Sequence, residues 1–333
     1  MEKIALGLDL GGTYIKAGLL TQKGASLGAW KEPTRAAEGA STVMEGLLSV
    51  TRKILASDQL RQWQDSHNCE WAGIGIGSPG VIDPYAGVVR GATFNLPGWT
   101  GMEIGPIFES EFRMKTYLDN DANAYVWGEY LFGAGRGRNI QTLLGLTLGT
   151  GVGGGVIVDG RLLHGAHCCA GELGHIPISE SDKGAPPCSC GAKGCIEAYV
   201  SAPAIARYAS EQKDQYPGSR IFDLAGSKEV TSKIVHQAAV QNDPLALHVI
   251  QRTAAILGRA LTGLIYSFDP ELVILGGGVV NMGDLLLDKV RKGIQERFTF
   301  SSLYRLEIVP ALLGSDGGYK GAAGLALFPS YRG

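Results

Sequence analysis

The sequence predicts an α/β protein of two domains. Its 333 residues are enough for two domains that each bury a hydrophobic core. Apolar runs of strand length alternate with amphipathic stretches of helix length. A unit of strand, glycine turn with threonine, and strand occurs in residues 4–20 and again in residues 142–158. Because the unit occurs twice, the glycine turns are better explained by a shared function than by two ordinary hairpins.

The composition excludes several classes of partner. The apolar fraction of 45% is ordinary for a soluble globular protein, and the formal net charge of -2 leaves no electrostatic footprint for nucleic acid or acidic membranes. The 49 glycines exceed the usual ~7% and cluster in short loops at strand ends, which favours ligand-binding turns. With no basic-apolar leader and no apolar run long enough to span a bilayer, we expect a cytoplasmic protein.

The first strand, Ile4–Leu10, ends in a glycine turn at Gly11–Thr13, and a second apolar run follows at Ile15–Leu20. Backbone N–H groups of such a turn can approach phosphate oxygens, and Thr13 adds a hydroxyl donor. Asp9 lies at the mouth of the turn, where a carboxylate can hold magnesium or its waters. A plain hairpin with a diglycine turn explains the pattern equally well.

The next segments alternate between helix and strand. Ser41–Ala56 predicts an amphipathic helix and Trp71–Gly77 a buried strand. Asn95–Trp99 is irregular and offers an amide and an indole, groups that suit a sugar site. A surface loop is the competing interpretation.

Asp121 follows a predicted strand, Lys115–Leu118, and begins a predicted helix that runs through Tyr130. A helix N-terminus favours an ionised carboxylate, so we expect Asp121 to be charged at neutral pH and able to accept a proton from a substrate hydroxyl. A helix cap without chemistry is the commoner role for such a residue. The residues alone leave both interpretations open.

The second half repeats the strand and glycine-turn pattern before a run of helices. Gly276–Gly278 follows a strand and would give an adenine or ribose a backbone surface, although a sharp strand-to-helix turn is the alternative. The remaining predicted elements are a strand at Thr142–Leu148, a helix at Ser201–Gln212, a polar connection at 214–230, a helix from Asp243-Pro244 to Phe268, strands at Glu271–Leu275 and Leu306–Pro310, and a helix from Gly317-Gly318 to Leu327.

Four soft ligand candidates lie close together in sequence: His175, Cys188, Cys190 and Cys195. Three thiolates in one short loop can converge on a tetrahedral ion, and the histidine would complete the set. Cys-x-Cys pairs bridge poorly to each other, and no secretory signal accompanies them, although a disulfide or buried thiols remain alternatives. The pattern predicts a structural zinc site with no open position. We expect packing roles for Cys69, Cys168 and Cys169.

Together these motifs resemble the ROK (repressor/ORF/kinase) family of sugar kinases, within the actin/hexokinase/Hsp70 ATPase superfamily. The resemblance covers essentially the whole chain and is nearest to the bacterial glucokinases. The motifs that carry it are DLGGTYIK at Asp9–Lys16, NDANA at Asn120–Ala124, LGTGVGGG at Leu148–Gly155, GELGH at Gly171–His175, CSCGAKGCIE at Cys188–Glu197 and GGGV at Gly276–Val279.

The resemblance implies a ribonuclease H-like fold of two α/β lobes, each with a five-stranded mixed sheet, that close over a cleft. The small lobe would comprise residues 1–121 and about 317–333. The large lobe would comprise residues 122–316, with the zinc-binding loop at 175–195.

The resemblance also implies a role for each matching residue. Asp121 would be the catalytic base. The other sugar ligands would be Ser78, Asn95, Asn120, Glu172, His175 and Glu197. The ATP and magnesium ligands would be Asp9, Gly11, Gly12, Thr13, Lys16, Thr150, Gly151 and Gly277. The sequence departs from the family at NLPGW, where relatives commonly place tryptophan directly after proline, and at His167–Cys169, which precedes the metal loop.

The implied activity is ATP-dependent phosphorylation of the glucose 6-hydroxyl, with magnesium and a structural zinc, in a homodimer or homotetramer. The same scaffold serves N-acetylglucosamine, N-acetylmannosamine, fructose, mannose and allose kinases. A sugar-sensing repressor of this family would carry a helix-turn-helix domain ahead of the first strand, where eight residues precede Asp9. A chaperone or filament ATPase would not need the cysteine loop.

Overall fold

The computed structural model describes residues 1–91, 96–300 and 305–332. The strands are β1 (Glu2–Leu10), β2 (Tyr14–Thr21), β3 (Ser26–Pro33), β4 (Cys69–Ser78), β5 (Val81–Asp83), β6 (Val88–Gly91), β7 (Thr116–Asn120), β8 (Thr142–Leu148), β9 (Val152–Val158), β10 (Arg161–Leu162), β11 (Leu272–Gly276) and β12 (Glu307–Pro310). The α-helices are α1 (Ala40–Leu55), α2 (Asp58–Ser66), α3 (Ile104–Phe112), α4 (Asp121–Phe132), α5 (Glu197–Val200), α6 (Ala202–Glu211), α7 (Arg220–Ala225), α8 (Ser232–Val240), α9 (Pro244–Phe268), α10 (Asp284–Gln295) and α11 (Gly317–Leu327).

The first five-stranded sheet has the order β3-β2-β1-β4-β7. Strand β1 is antiparallel to β2 and parallel to β4, which is parallel to β7. The register pairs Asp9 with Gly77 and Ser78 with Asn120. Because parallel strands end at the same edge of a sheet, β1, β4 and β7 bring Asp9, Ser78 and Asn120 to one edge.

The second five-stranded sheet has the order β10-β9-β8-β11-β12. Strand β10 is antiparallel to β9, and β11 is parallel to β12. The glycine turn at 149–151 joins β8 to β9, and Gly277 follows β11 directly. Both duplicated glycine turns of the sequence are therefore hairpin turns at sheet edges.

The chain divides into two compact units. Unit 1 comprises residues 1–143, 155–171 and 311–333, and unit 2 comprises residues 144–154 and 172–310. This division differs from the expected boundary after Asp121. Helix α4 packs extensively against α11 and also against β4, so it remains with the first sheet.

Helix α11 is the most closely packed element of unit 1, and every one of its described residues except Lys320 is buried. Gly7 on β1 and Gly75 on β4 lie so near it that a side chain at either position would overlap a carbonyl oxygen of the helix. On the opposite side, a side chain at Gly321 would overlap the carbonyl oxygen of Ala124 on α4. Some of the glycine excess therefore serves backbone packing, in addition to the ligand turns that the sequence suggested.

The fully buried Glu129 secures the segment that leads into α11. Its carboxylate accepts hydrogen bonds from the backbone N–H groups of Ala134 at 2.9 Å, Leu312 at 3.1 Å and Leu313 at 2.7 Å. Three donors satisfy a carboxylate that would be costly to bury unpaired. The carboxyl-terminal part of α4 thus fixes the approach of the chain to α11.

One local expectation differs from the structure. The expected polar connection at 214–230 contains α7, which Ser219 caps by accepting a hydrogen bond from the N–H of Ile221, while Asp243 accepts from Ser219 and Arg220. Polar contacts of this kind carry no hydrophobic periodicity, and those to Asp243 join residues 23 and 24 positions apart, which is why the sequence pattern missed the helix. Within the described residues, no helix is both long and apolar enough to cross a membrane.

We predict that Gly321→Ala destabilises the protein by about 1–3 kcal/mol or more, because the added methyl group overpacks the contact between α11 and α4. The matched control is Gly263→Ala in α9, where a side chain would meet no atom within 4 Å. That variant should gain up to about 1 kcal/mol from helix propensity and reduced unfolded-state entropy. Urea unfolding measures both. Equal stabilisation by the two alanines would contradict the packing argument.

Candidate active site

Two carboxylates lie near each other at the edge of the first sheet. Asp121 is the first residue of α4, and Asp9 is paired with Gly77 on the neighbouring strand. A side chain at Gly77 would lie 3.3 Å from the Cα of Asp121, so glycine leaves room for the start of the helix. Gly318, at the start of α11, is held so close to the Asp9 carboxylate that a side chain there would overlap it. The sequence places Gly318 only at the start of a helix, because its close approach to Asp9 is set by tertiary packing.

The environment opposes the negative charge of both carboxylates. Burial raises the pKa of Asp9 to about 7, with a further increase from the charge of Asp121 and a decrease from Lys16. Burial also raises the pKa of Asp121, although the N–H groups of Ala122 and of Asp121 itself lower it. The helix terminus that we expected to keep Asp121 ionised is therefore outweighed by desolvation. A raised pKa is suited to a group that accepts a proton during catalysis.

Asn120, not Asp121, is the N-cap of α4. Its side-chain oxygen accepts hydrogen bonds from the N–H groups of Ala122 at 2.9 Å and Asn123 at 3.2 Å, and its amide nitrogen donates to the carbonyl oxygen of Gly80 at 3.0 Å. Asp121 Oδ1 accepts a hydrogen bond from the N–H of Ala122 at 2.9 Å. The capping role that competed for Asp121 in the sequence is thus filled by its neighbour.

Ser78 and Trp99 form a buried pair beneath the 78–80 turn. Both are completely buried, and the indole Nε1 donates to Ser78 Oγ at 2.9 Å. The interpretation of Trp99 as an indole available to a sugar is therefore wrong, since the ring lies in the hydrophobic core. The geometry gives Ser78 a supporting role behind the turn. The predicted ligand Asn95 lies outside the described residues.

The first glycine turn is tied to β1 and β3 by backbone and hydroxyl contacts. The N–H of Gly11 donates to the carbonyl oxygen of Tyr14 at 3.1 Å, and Thr34 donates to the carbonyl oxygens of Gly11 and Thr13. A side chain at Gly12 would meet no atom within 4 Å, so the turn faces open space. Thr13 is exposed on the same turn.

Lys16 is anchored in unit 1. Its ammonium group donates to the carbonyl oxygen of Ser315 at 2.9 Å and lowers the pKa of Asp9 from the level that burial would set. Lys16 therefore counteracts part of the desolvation of the carboxylate. This contact fixes one cation near Asp9.

In unit 2, Glu197 adjoins the second glycine turn. Its Oε2 accepts from the N–H of Val152 at 2.9 Å, and a side chain at Gly151 would contact that oxygen. Gly277, with a φ of 86°, packs so closely against Leu148 that a side chain would overlap its backbone. The structure thus brings Thr150, Gly151, Glu197 and Gly277 to one edge of the second sheet.

The four predicted metal ligands converge in unit 2. One ligand atom from each of His175, Cys188, Cys190 and Cys195 lies within 4.8 Å of all the others. The sulfur atoms of Cys190 and Cys195 are 3.8 Å apart, and Cys188 Sγ is 3.4 Å from His175 Nδ1. Zinc–sulfur bonds of about 2.3 Å in a tetrahedron place two sulfur atoms about 3.8 Å apart. The donor set and its spacing therefore fit zinc.

The thiols are not disulfide-bonded: all six cysteines, each within the described residues, are free. Burial raises the pKa of Cys188 to about 12, so this thiol keeps its proton unless a cation displaces it. Cys168 and Cys169 lie outside the cluster of four. The disulfide alternative is not realised in this structure.

Glu197 connects the metal loop to the second glycine turn. Its Oε1 accepts a hydrogen bond from the hydroxyl of Ser189 and lies 3.4 Å from Cys188 Sγ, while Oε2 holds Val152. Burial alone would raise the pKa of Glu197, but these hydrogen bonds outweigh it and hold the pKa below its usual value. On the other side of the cluster, His175 Nε2 lies 3.9 Å from a carboxylate oxygen of Glu172. The metal loop therefore bonds directly to Glu197, and its His175 lies beside Glu172.

We predict that Asp9→Asn stabilises the protein in the absence of magnesium and nucleotide. Because the pKa of Asp9 is raised to about 7, the folded state retains a proton that the unfolded chain releases as the pH rises from about 4 to about 7. Ionisation of Asp9 therefore lowers the free energy of unfolding across that window. The amide removes this penalty, with a gain of up to about 4 kcal/mol near pH 8 that shrinks towards zero near pH 4.

Urea unfolding at both pH values measures this gain. Asp65→Asn, on an exposed side chain, is the control and should change the free energy of unfolding little. A gain from Asp9→Asn that is equal at the two pH values would show that the charge of Asp9 is not its source.

Comparison with known proteins gives the family. The model of the ROK family matches residues 5–328. A glucokinase of Thermotoga maritima is 38% identical over 328 residues, which are 98% of each chain, and a glucokinase of Halalkalibacterium halodurans is 36% identical over 96% of this chain and 94% of its own.

Among solved structures, a ROK family glucokinase from Streptomyces griseus in complex with glucose and AMPPNP has a TM-score of 0.78 and 31% identity, covering 97% of this chain and 98% of its own. The predicted actin/hexokinase-like two-domain α/β fold is confirmed by this likeness. The chain belongs to the ROK family.

Proposed function

We propose that this chain is an ATP-dependent hexose kinase that phosphorylates glucose at its 6-hydroxyl. The observation that carries the proposal is Asp121, a carboxylate with a raised pKa that begins α4 beside Asp9. The glucokinases that are 36–38% identical over nearly the whole chain support the reaction and the sugar.

Asp121 would act as the general base. Its Oδ1 accepts a hydrogen bond from the N–H of Ala122, and the two oxygens of a carboxylate offer further lone pairs. The carboxylate would accept the proton of the 6-hydroxyl as the hydroxyl oxygen attacks the γ-phosphorus of ATP. The bond from that phosphorus to the β-phosphate oxygen breaks, ADP leaves, and the proton remains on Asp121.

Asn120, Glu172, His175 and Glu197 would orient the sugar. The Asn120 amide nitrogen carries two hydrogens, of which one is donated to the carbonyl oxygen of Gly80, so the other is available to a hydroxyl. Carboxylates accept from hydroxyls and distinguish their positions by geometry. The alternatives to glucose are N-acetylglucosamine, N-acetylmannosamine, fructose, mannose and allose, which related kinases phosphorylate.

The nucleotide would be held by backbone N–H groups of the two glycine turns. Gly11, Gly12, Thr13, Thr150 and Gly151 would donate to phosphate oxygens, with Lys16 adding positive charge and Gly277 lying near the nucleoside. Magnesium, when bound, neutralises charge on the transferring phosphoryl group, and Asp9 would support it. ATP is a cytoplasmic substrate, so we place the enzyme in the cytoplasm, as a homodimer or homotetramer.

We further propose that His175, Cys188, Cys190 and Cys195 hold a structural zinc ion. The four protein ligands complete a tetrahedron, so the ion would shape the loop and leave no position for a catalytic water. Glu197 supports this role, because it bonds to the metal loop through one oxygen and to the glycine turn through the other.

The proposed activity is tested by a coupled assay of ADP release with glucose, N-acetylglucosamine, N-acetylmannosamine, fructose, mannose and allose. We expect the highest kcat/KM with glucose. Asp121→Asn should lower kcat by at least about 100-fold, because general-base catalysis contributes roughly 10²–10⁴-fold, and it should leave glucose binding and metal content intact.

Each result of this assay has a definite meaning. Near-normal turnover by Asp121→Asn would refute the assignment of the base. Preference for another hexose would refute glucose while retaining the kinase. Sugar binding without turnover by the parent protein would favour a non-catalytic sugar sensor.

We predict that Cys190→Ala loses the metal and raises the KM for glucose about 10-fold or more, because removing support from around a site typically costs 10–100-fold. The KM for ATP should change less, since the first glycine turn belongs to unit 1 and the metal loop to unit 2. Metal content by mass spectrometry and steady-state kinetics measure the two effects. Cys169→Ala, on an exposed thiol outside the cluster, is the control. An unchanged KM for glucose in metal-free Cys190→Ala would contradict the coupling.

A further inference from the structure

A buried acid–histidine pair lies behind the candidate catalytic base. Asp119 is 1% exposed and His164 is 6% exposed, and His164 Nε2 lies 2.7 Å from Asp119 Oδ2. The two residues belong to unit 1 and are 45 positions apart in sequence. The proposed reaction assigns neither of them a role.

Asp119 also forms hydrogen bonds with residues at the start of α4. Its other oxygen, Oδ1, accepts from the backbone N–H of Asn120 at 2.7 Å and from the side-chain amide of Asn123 at 3.0 Å. The N–H of Asn123 in turn donates to the Asn120 side chain at 3.2 Å. These bonds form a closed set that joins Asp119, Asn120 and Asn123 around the first turn of α4, which contains Asp121.

His164 is itself held in place. Its ring meets the rings of Tyr85 and Tyr331 edge-on, with centroids 6.4 Å and 6.0 Å away. Its carbonyl oxygen accepts from the N–H of Ala170 at 3.0 Å, which closes the turn at 164–170. Because the carboxylate accepts the bond, Nε2 is the donor, and the ring is a rigid donor aimed at one oxygen of Asp119.

A role limited to stability explains this arrangement poorly. A buried polar pair contributes little net stability compared with apolar residues of the same volume. The bond from His164 instead fixes the orientation of the Asp119 carboxylate, which in turn orients the first turn of α4. A displacement of about 1 Å at a reacting group can cost on the order of 100-fold in rate.

We propose that His164 is a positioning residue for phosphoryl transfer: through Asp119 it fixes Asn120 and Asn123, and so the orientation of Asp121. This inference rests on the proposed function. His164 is not a catalytic residue, since it acts through Asp119. Loss of its N–H would release Asp119 Oδ2, allow the carboxylate to turn, and misplace the base without altering the glycine turn at residues 11–13.

The test compares His164→Leu with His164→Gln, whose amide nitrogen can replace Nε2 as a donor. We expect the leucine variant to lower kcat about 10–100-fold, with the KM for ATP within about 3-fold of the parent value. The glutamine variant should recover most of the lost kcat. The control is His167→Gln, on an exposed side chain of the same turn, which should retain the parent kcat.

A second measurement separates this inference from the proposed function. Amide hydrogen exchange across residues 119–125 requires no activity, and it should be faster in His164→Leu than in the parent, with recovery in His164→Gln. If the parent phosphorylates no hexose but exchange behaves as described, the reaction is wrong and the positioning contact stands. If exchange is unchanged, or if leucine and glutamine lower kcat equally, the positioning role is refuted.

If His164→Leu fails to fold, Asp119→Asn tests the same contact with less change in shape. Its amide nitrogen can only donate, so the bond from His164 to a carboxylate is lost or becomes a weaker neutral bond to an imidazole that has changed tautomer. We expect a lower kcat and faster exchange at residues 119–125. Parent values of both would overturn the proposal.

Discussion

The architecture of unit 1 depends on the close approach of α11 to β1, β4 and α4. Glycines on both sides of the contact allow backbone to meet backbone, and any side chain there would overlap a carbonyl oxygen. The start of α11 then lies against Asp9, and the start of α4 carries Asp121. Direct backbone contact at these glycines therefore sets both the position of the two candidate carboxylates and the surroundings that they meet. This explains why glycine is needed within strands as well as in turns.

In unit 2 the carboxylate of Glu197 holds the parts of the candidate site together. Glu197 accepts hydrogen bonds from the metal loop through one oxygen and from the second glycine turn through the other. A loop rich in glycine and cysteine has little core of its own, and a bound ion would hold it at low entropic cost. Order in the loop would then be transmitted to the turn through two hydrogen bonds, which is preorganisation by a metal that takes no part in the reaction.

Sequence patterns predicted what is local or repeated. The strand and glycine-turn units, the long helix capped by Asp243 and the convergence of three cysteines and a histidine all depend on residues near one another in the chain. Trp99 was assigned wrongly, because it is buried in a core built from distant residues and its indole donates to Ser78, 21 positions earlier. The Asp119–His164 pair was missed for a similar reason: polar residues 45 positions apart leave no periodic signal. The sugar-ligand roles and the zinc remain predictions that rest on family resemblance and local geometry.

The contact between α11 and the first sheet also constrains the order of folding. Residues of β1 and β2 share a hydrophobic cluster with Tyr319, Ala323, Ala326 and Leu327, which are separated from them by most of the 333-residue chain. During synthesis the first strands therefore leave the ribosome long before the helix that covers them. A growing chain exposes one apolar face of its first sheet until α11 has been made. The environment of Asp9 is completed only when α11 docks, so a chain that lacks this helix holds no finished site.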